Sequence, residues 1–236
     1  MPDARAALAL LVALVAACTA PERVDTERAD TASSSGASPA VADSGTAGPT
    51  VADSGVPDSG VAAPADTGRA PLLARADSGV AAIARRDWST LAALAHPARG
   101  VRFSPYGHVE PEGECAVTLT REQVASLATD STTRCWGHFD GSGEPMRLSF
   151  PAYYARFVYE KDYARARRGE PDERLGQGNT LSNLPDAFGP GATFVEYHVP
   201  GTEQYGGMDW GSLRLVFVPT DGEWRLVGVV HDQWTI

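Results

Sequence analysis

Apolar and polar residues follow three regimes along this chain. Residues 6–17, AALALLVALVAA, are an unbroken apolar run. It is shorter than the roughly 20 residues that a helix needs to cross a bilayer, and it has the length of the hydrophobic part of an export signal. From 19 to 77 no period exists, and small and polar residues alternate without an aromatic side chain. From 78 onward apolar positions recur at helical and strand spacing.

Val80, Ile83 and Ala84 predict a helix stripe from 78, broken before a second short helix, DWSTLAALAH, with Leu91 and Leu94 three apart. Asp87 is its N-cap and Pro97 its stop. VRFSPY at 101–106 reads as a strand that ends in a proline turn. Thr120 and Gln123 stand at capping-box spacing before a helix running through Leu127. An irregular hairpin around DGSG is expected over 136–150. PAYYARFVYEKDYARA, from Pro151, has proline in its first turn and Tyr153 and Phe157 on one face. A long loop, 167–191, precedes three strands at 192–199, 212–218 and 223–231, the last two joined by an Asp221-Gly222 turn. Helices first and strands last predict an α+β domain at 78–236, with N-terminal helices packed on a curved antiparallel sheet.

The apolar run closes on Val15-Ala16-Ala17-Cys18, which resembles the lipobox of bacterial lipoproteins. That resemblance implies a signal peptide at 1–17, a lipidated Cys18 as mature N-terminus and a membrane partner without a spanning helix. The alternative is an ordinary signal peptide with a coincidental cysteine. Cell-envelope localisation follows, and Thr19 favours the outer membrane or a periplasm-facing site by resemblance to lipoprotein sorting. Residues 18–77 read as a disordered tether: 19–77 hold nine acidic residues against four arginines, and VADSG recurs at 41–45 and 51–55, with VPDSG at 56–60 and RADSG at 75–79. As a flexible coil it spans about 40 Å.

The whole chain carries a formal net charge of −10 and Lys161 is its only lysine. Nucleic acid is therefore an unfavourable partner. Beyond Cys18 two cysteines remain, Cys115 and Cys135. An oxidising compartment predicts a disulfide between them, the alternative being two buried thiols.

VAAIARRDWSTLAALAHPARGVRFSPYG resembles the opening of NTF2-like (SnoaL-like, cystatin-type α+β) proteins, and the closing hairpin is similar to their last two strands. RFSPYG, GGMDWGSLRLVF and GEWRLVGVVHDQWTI also resemble a group of uncharacterised bacterial secreted or lipid-anchored proteins. The resemblance implies a cone-shaped pocket between sheet and helices but selects no activity. Strand alternation sets out two readings for it. In one, Glu196, His198, Arg214 and His231 converge on the concave face as acid/base groups and a cation for a small-molecule substrate, with Glu196, His198 and His231 as catalytic candidates. In the other, Glu196 and Arg214 are a cross-strand ion pair on a wetted face, and the domain binds a small molecule or an envelope protein without catalysis. Arg214, Asp209, Trp210 and Trp234 are the binding candidates, the tryptophans either closing the core or rimming a pocket. Histidines 96, 108, 138, 198 and 231 lack a metal-ligand spacing, and neither metal nor cofactor is expected.

Overall fold

The computed structural model describes residues 67–235. The signal segment 1–17, Cys18 and the tether as far as residue 66 lie outside the described residues.

Helix α1 spans Arg69–Arg85 and α2 spans Trp88–Leu94. They part where Arg86 adopts left-handed backbone and where the Asp87 carboxylate accepts the Thr90 N–H at 3.1 Å, the cap expected there. The folded segment nevertheless reaches back well before the expected boundary at 78. Leu72, Leu73 and Ala76 on α1 are buried, so residues 69–77 belong to the domain and not to the tether.

Strands β1 (Val101–Ser104) and β2 (Thr118–Leu119) are followed by α3 (Arg121–Ala125), whose capping box joins Thr120 and Gln123 in both directions. β3 (Thr133–His138) and β4 (Pro145–Ser149) form a separate irregular hairpin, and α4 (Phe150–Phe157) follows directly. α4 is shorter than expected because the amides of Val158 and Tyr159 both turn back to the Tyr154 carbonyl, at 3.2 and 2.8 Å. Had the helix continued, Tyr163 would stand about 240° around the axis from Phe157. The turn instead brings Tyr163 into the core, where it is fully buried. β5 (Arg167–Arg168) and the short α5 (Leu184–Phe188) interrupt the long loop before β6 (Thr193–Val199), β7 (Gly211–Thr220) and β8 (Glu223–Gln233).

The main sheet runs β2-β1-β8-β7-β6-β5 and curves around the helices, an α+β architecture. Its pairs are antiparallel except β1 with β8, which are parallel. The sheet is thus mixed and not wholly antiparallel: no hairpin links β1 to β8, so nothing local dictates their relative direction.

Two layers cover the sheet. On the inner face Leu213, Leu215 and Phe217 pack with Leu72 and Ile83 of α1, Leu91 of α2 and Phe150, Tyr153 and Phe157 of α4. The aromatic rings interlock: Trp136 stacks on Tyr153 with centroids 4.2 Å apart, and Phe103 meets Trp136 and Phe150 edge-on. The space between sheet and helices is therefore filled by side chains. On the outer face Val216, Val218, Val227 and Val230 pack against Leu184 and Phe188. Gly228 is required there, because a Cβ would come within 2.5 Å of the Phe188 ring.

A bulge splits β8. Val216 pairs with Gly228 but Phe217 pairs with Leu226, leaving Val227 as the extra residue. Strict alternation puts Leu226, Gly228 and Val230 on one face. The bulge instead sends Leu226 inward with Phe217 while Val227, Gly228 and Val230 lie outward.

Cys115 and Cys135 are joined by a disulfide, with Cα atoms 4.4 Å apart, tying the segment before β2 to β3 across 20 residues of sequence. A loop of that length corresponds to about 3 kcal/mol in the chain-entropy account. Reduction is therefore expected to lower the melting temperature by about 10 °C in a domain of this size, measured by calorimetry with and without reductant; unchanged melting would rule out that contribution.

Candidate functional site

Cross-strand register decides which polar groups meet. Glu196 pairs with Arg214, His198 with Ser212 and Ser212 with Asp232, so these five lie on the outer face. His231 pairs with Leu213 and lies on the inner face. The expected convergence of Glu196, His198, Arg214 and His231 is thereby corrected: an entire sheet separates His231 from the other three.

Nor is the outer set wetted. Glu196, Ser212, Arg214 and Asp232 are each 0% exposed. The Arg214 Nε donates to Glu196 Oε2 at 2.9 Å, Nη1 meets Asp232 Oδ2 at 2.8 Å and Nη2 donates to the Gly176 carbonyl at 3.2 Å. Glu196 Oε1 accepts from the Gly176 N–H at 2.7 Å and from the Ser212 hydroxyl. The segment around Gly176 seals the cluster, and a Cβ at that glycine would strike Ser212 Oγ at 2.4 Å and the Trp210 ring at 2.6 Å. Burial works to raise the Glu196 pKa, but the Arg214 charge and these hydrogen bonds outweigh it and hold the carboxyl below its ordinary value. Because the Ser212 proton goes to Glu196, His198 Nδ1, 2.9 Å from Ser212 Oγ, is the donor there. Burial first, opposed by Glu196, lowers the His198 pKa. This is a closed structural network built around one arginine.

Inside, His231 Nδ1 donates to the Pro105 carbonyl at 2.7 Å and Nε2 lies 3.0 Å from Glu160 Oε1, which also accepts from the Tyr163 hydroxyl. His231 and Tyr163 are 0% exposed. Burial raises the Tyr163 pKa, with Glu160 adding to it. Burial also opposes ionisation of Glu160, but hydrogen bonds and charge from His231 dominate and lower its pKa. Glu160, which helical spacing places only on the face of Tyr153 and Phe157, meets His231 beyond the end of α4.

The remaining candidates separate. Asp209 accepts the Thr202 N–H at 2.6 Å and its hydroxyl at 2.9 Å, stapling the β6–β7 connection; the backbone bond leads in lowering its pKa. Trp210 is buried beside His198 and against Gly176, closing the outer layer. Trp234 is 42% exposed and closes nothing.

Trp234 belongs instead to an open groove at one end of the sheet. Its deeper lobe, a cavity of about 330 Å³, lies between the 103–110 segment, β3 and the DGSG turn of the β3–β4 hairpin. Phe103, Tyr106, Trp136 and Phe139 line it, with Glu110, His138 and Asp140 among its polar groups. His138 Nδ1 stands 2.6 Å from Glu110 Oε1, both side chains part-exposed. A shallower lobe continues past Tyr106, Phe139 and Asp140 to Arg156 and Trp234. The disulfide closes one wall, since Cys115 also borders the deeper lobe. The sequence signal for this site lies in RFSPYG and GHFDGSG, a strand that ends at a proline turn and a glycine-rich hairpin turn. Among the described residues no group of three His, Cys, Asp or Glu side chains is placed to hold a metal ion.

No family model matches the chain, and no curated protein matches it. Among solved structures, one from Xanthomonas campestris named for a calcium/calmodulin dependent protein kinase II association domain is similar at 16% identity, covering 75% of this chain and 93% of that one, with a TM-score of 0.30. An NTF-2 like protein of unknown function from Shewanella oneidensis MR-1 is similar at 10% identity, covering 70% of this chain and 98% of that one, with a TM-score of 0.27.

Proposed function

We propose that this chain is a lipid-anchored binding module of the cell envelope, which presents its groove to a small ligand at the end of a tether. The observation that carries the binding reading is the contrast between two sets of polar groups. Glu196, Arg214, Asp232 and His231 are fully buried, whereas Glu110 and His138, which pair with each other, and Asp140 border a cavity that opens to solvent. The same contrast counts against acid/base catalysis by Glu196 and His231. Export and anchoring are supported by the apolar run, by Cys18 and by the disulfide, which suits an oxidising compartment.

Amide chemical-shift mapping with a mixed small-molecule library tests the binding reading. Shifts are expected at residues 103–110 and 136–143; shifts confined to other surfaces would overturn it. For the anchor, Cys18→Ser is expected to move the protein from the membrane to the soluble fraction, and a wild type that takes up no palmitate label would exclude lipidation.

A further inference from the structure

Beside the ring of Phe188, in the outer layer of the sheet, lies a cavity of about 230 Å³. We propose that this cavity is a binding site for a phosphate group, held by Arg99, Arg102 and Thr118, and separate from the groove and from whatever the groove binds. Ala187, Phe188 and Val227 complete its lining, which contains no carboxylate. Two like charges that meet at one cavity without an acid repel, even in a chain whose net charge is −10, and an anion between them relieves that repulsion.

Neutral acceptors hold both guanidiniums in place, and each keeps donors for a ligand. Arg99 Nη2 donates to the Phe188 carbonyl at 2.8 Å, which leaves its Nε and Nη1. Arg102 Nη1 donates to the carbonyls of Glu110 and Pro111 and its Nε to Thr118 Oγ1 at 3.2 Å, which leaves Nη2. Thr118 Oγ1 accepts that bond, so its own proton remains to be donated. Donors on three separate side chains match the several oxygens of a tetrahedral phosphate, where a carboxylate offers only two. The backbone beneath them is fixed before any ligand arrives. His96 Nδ1 accepts the amides of Ala98 and Arg99 at 3.1 and 3.0 Å, and Gly100 lies so close to β2 that a Cβ would stand 2.3 Å from the Leu119 carbonyl oxygen. Burial first, then the charges of Arg99 and Arg225, lower the His96 pKa against the pull of Asp221, which keeps Nδ1 free to accept. The volume lies below that of drug-sized pockets and suits a headgroup whose organic part rests on Phe188 and Val227. A free phosphate ester and an anionic phospholipid both present that chemistry.

Inorganic phosphate, titrated against chloride at matched ionic strength into the disulfide-bonded chain from residue 19, tests the site through amide shifts. Saturable shifts are expected at residues 98–102, 118 and 187–188. Arg99→Gln, at an exposed position, should weaken phosphate about fivefold or more with an unchanged melting temperature. Arg165→Gln, exposed and outside the cavity, should leave it unchanged. Co-sedimentation with phosphatidylglycerol vesicles identifies the source, since this chain lacks the lipid anchor. A wild-type chain that pellets beside an Arg99→Gln chain that does not assigns the phosphate to a lipid headgroup, and two chains that sediment alike assign it to a free ester. Because Arg102 also borders the groove, the two sites are told apart by residue. Shifts confined to 103–110 and 136–143, a response that never saturates, or an Arg99→Gln chain that binds phosphate as tightly as wild type would overturn the proposal and leave the reading of the groove untouched.

Discussion

A chain cut to begin at residue 78 is expected to lose cooperative folding at 37 °C, while one cut to begin at residue 67 melts with the chain that begins at residue 19. The first cut removes nine of the 17 residues of α1, and with them Leu72 and Leu73, which are 2% and 7% exposed, and Ala76, which is fully buried. Loss of a buried leucine side chain costs about 2–5 kcal/mol once the cavity is included. Two together reach on the order of the whole stability of an ordinary domain, about 5–15 kcal/mol. The cut also deletes Asp77, which accepts from the Tyr197 hydroxyl at 2.8 Å and pairs with Arg168, so the helix loses its polar ties to β6 and β5 as well. The stub left behind is shorter than any helix that holds itself together in water. Circular dichroism melts of the three chains decide the matter, and equal melting from residues 67 and 78 would show that the first half of α1 contributes nothing to the fold.

That expectation reverses the one drawn from sequence, and the reason is specific. RADSG at 75–79 repeats the VADSG motif found at 41–45 and 51–55, and composition places its first three residues, 75–77, outside the domain. In the folded chain the same five residues are helical, and Gly79 is there because its missing Cβ would lie 2.9 Å from Leu215 Cδ1, where α1 approaches β7 closely. Low complexity concealed the first half of α1, with its buried Leu72, Leu73 and Ala76. Features whose cause is local were legible: the Asp87 cap, the Thr120–Gln123 box and the Asp221-Gly222 hairpin each depend on residues within a few positions. Features set across the chain were not. The bulge at Val227, the parallel β1–β8 pair and the loop that buries Glu196 and Arg214 answer to partners more than a hundred or several tens of residues away, or to a ring such as that of Phe188 over Gly228. The candidate site suffered most from this. Period-two counting put Glu196 and Arg214 correctly on one face, but whether that face was wet, and on which side His231 lay, depended on the covering loop and on register.

Replacing Arg214 with methionine is expected to destabilise the domain by about 3–5 kcal/mol, more than any other single change in the outer layer. The guanidinium is the cation shared by two fully buried carboxylates, Glu196 and Asp232. Methionine matches much of its length but leaves both carboxylates in a dry layer without a counter-charge, and an uncompensated buried charge is far costlier than the pair is favourable. The converse change behaves differently. Glu196→Gln keeps an acceptor for the Gly176 N–H and the Ser212 hydroxyl, and leaves Arg214 paired with Asp232, so its cost is expected to be smaller than that of Arg214→Met. Acid separates the two further. The Glu196 carboxyl is held below its ordinary value in the folded state, so its ionisation contributes stability that is present above the unfolded value near pH 4.3 and is lost as pH falls through the depressed folded value. Wild type should therefore lose stability on acidification below about pH 4, and Glu196→Gln should lose less over the same interval. Denaturant titrations of the three proteins at neutral pH and at pH 3–4 measure both effects. If Arg214→Met proves no less stable than Glu196→Gln, the carboxylates are not charged in the folded protein, and the outer layer is held by hydrogen bonds to neutral acids instead of by the arginine.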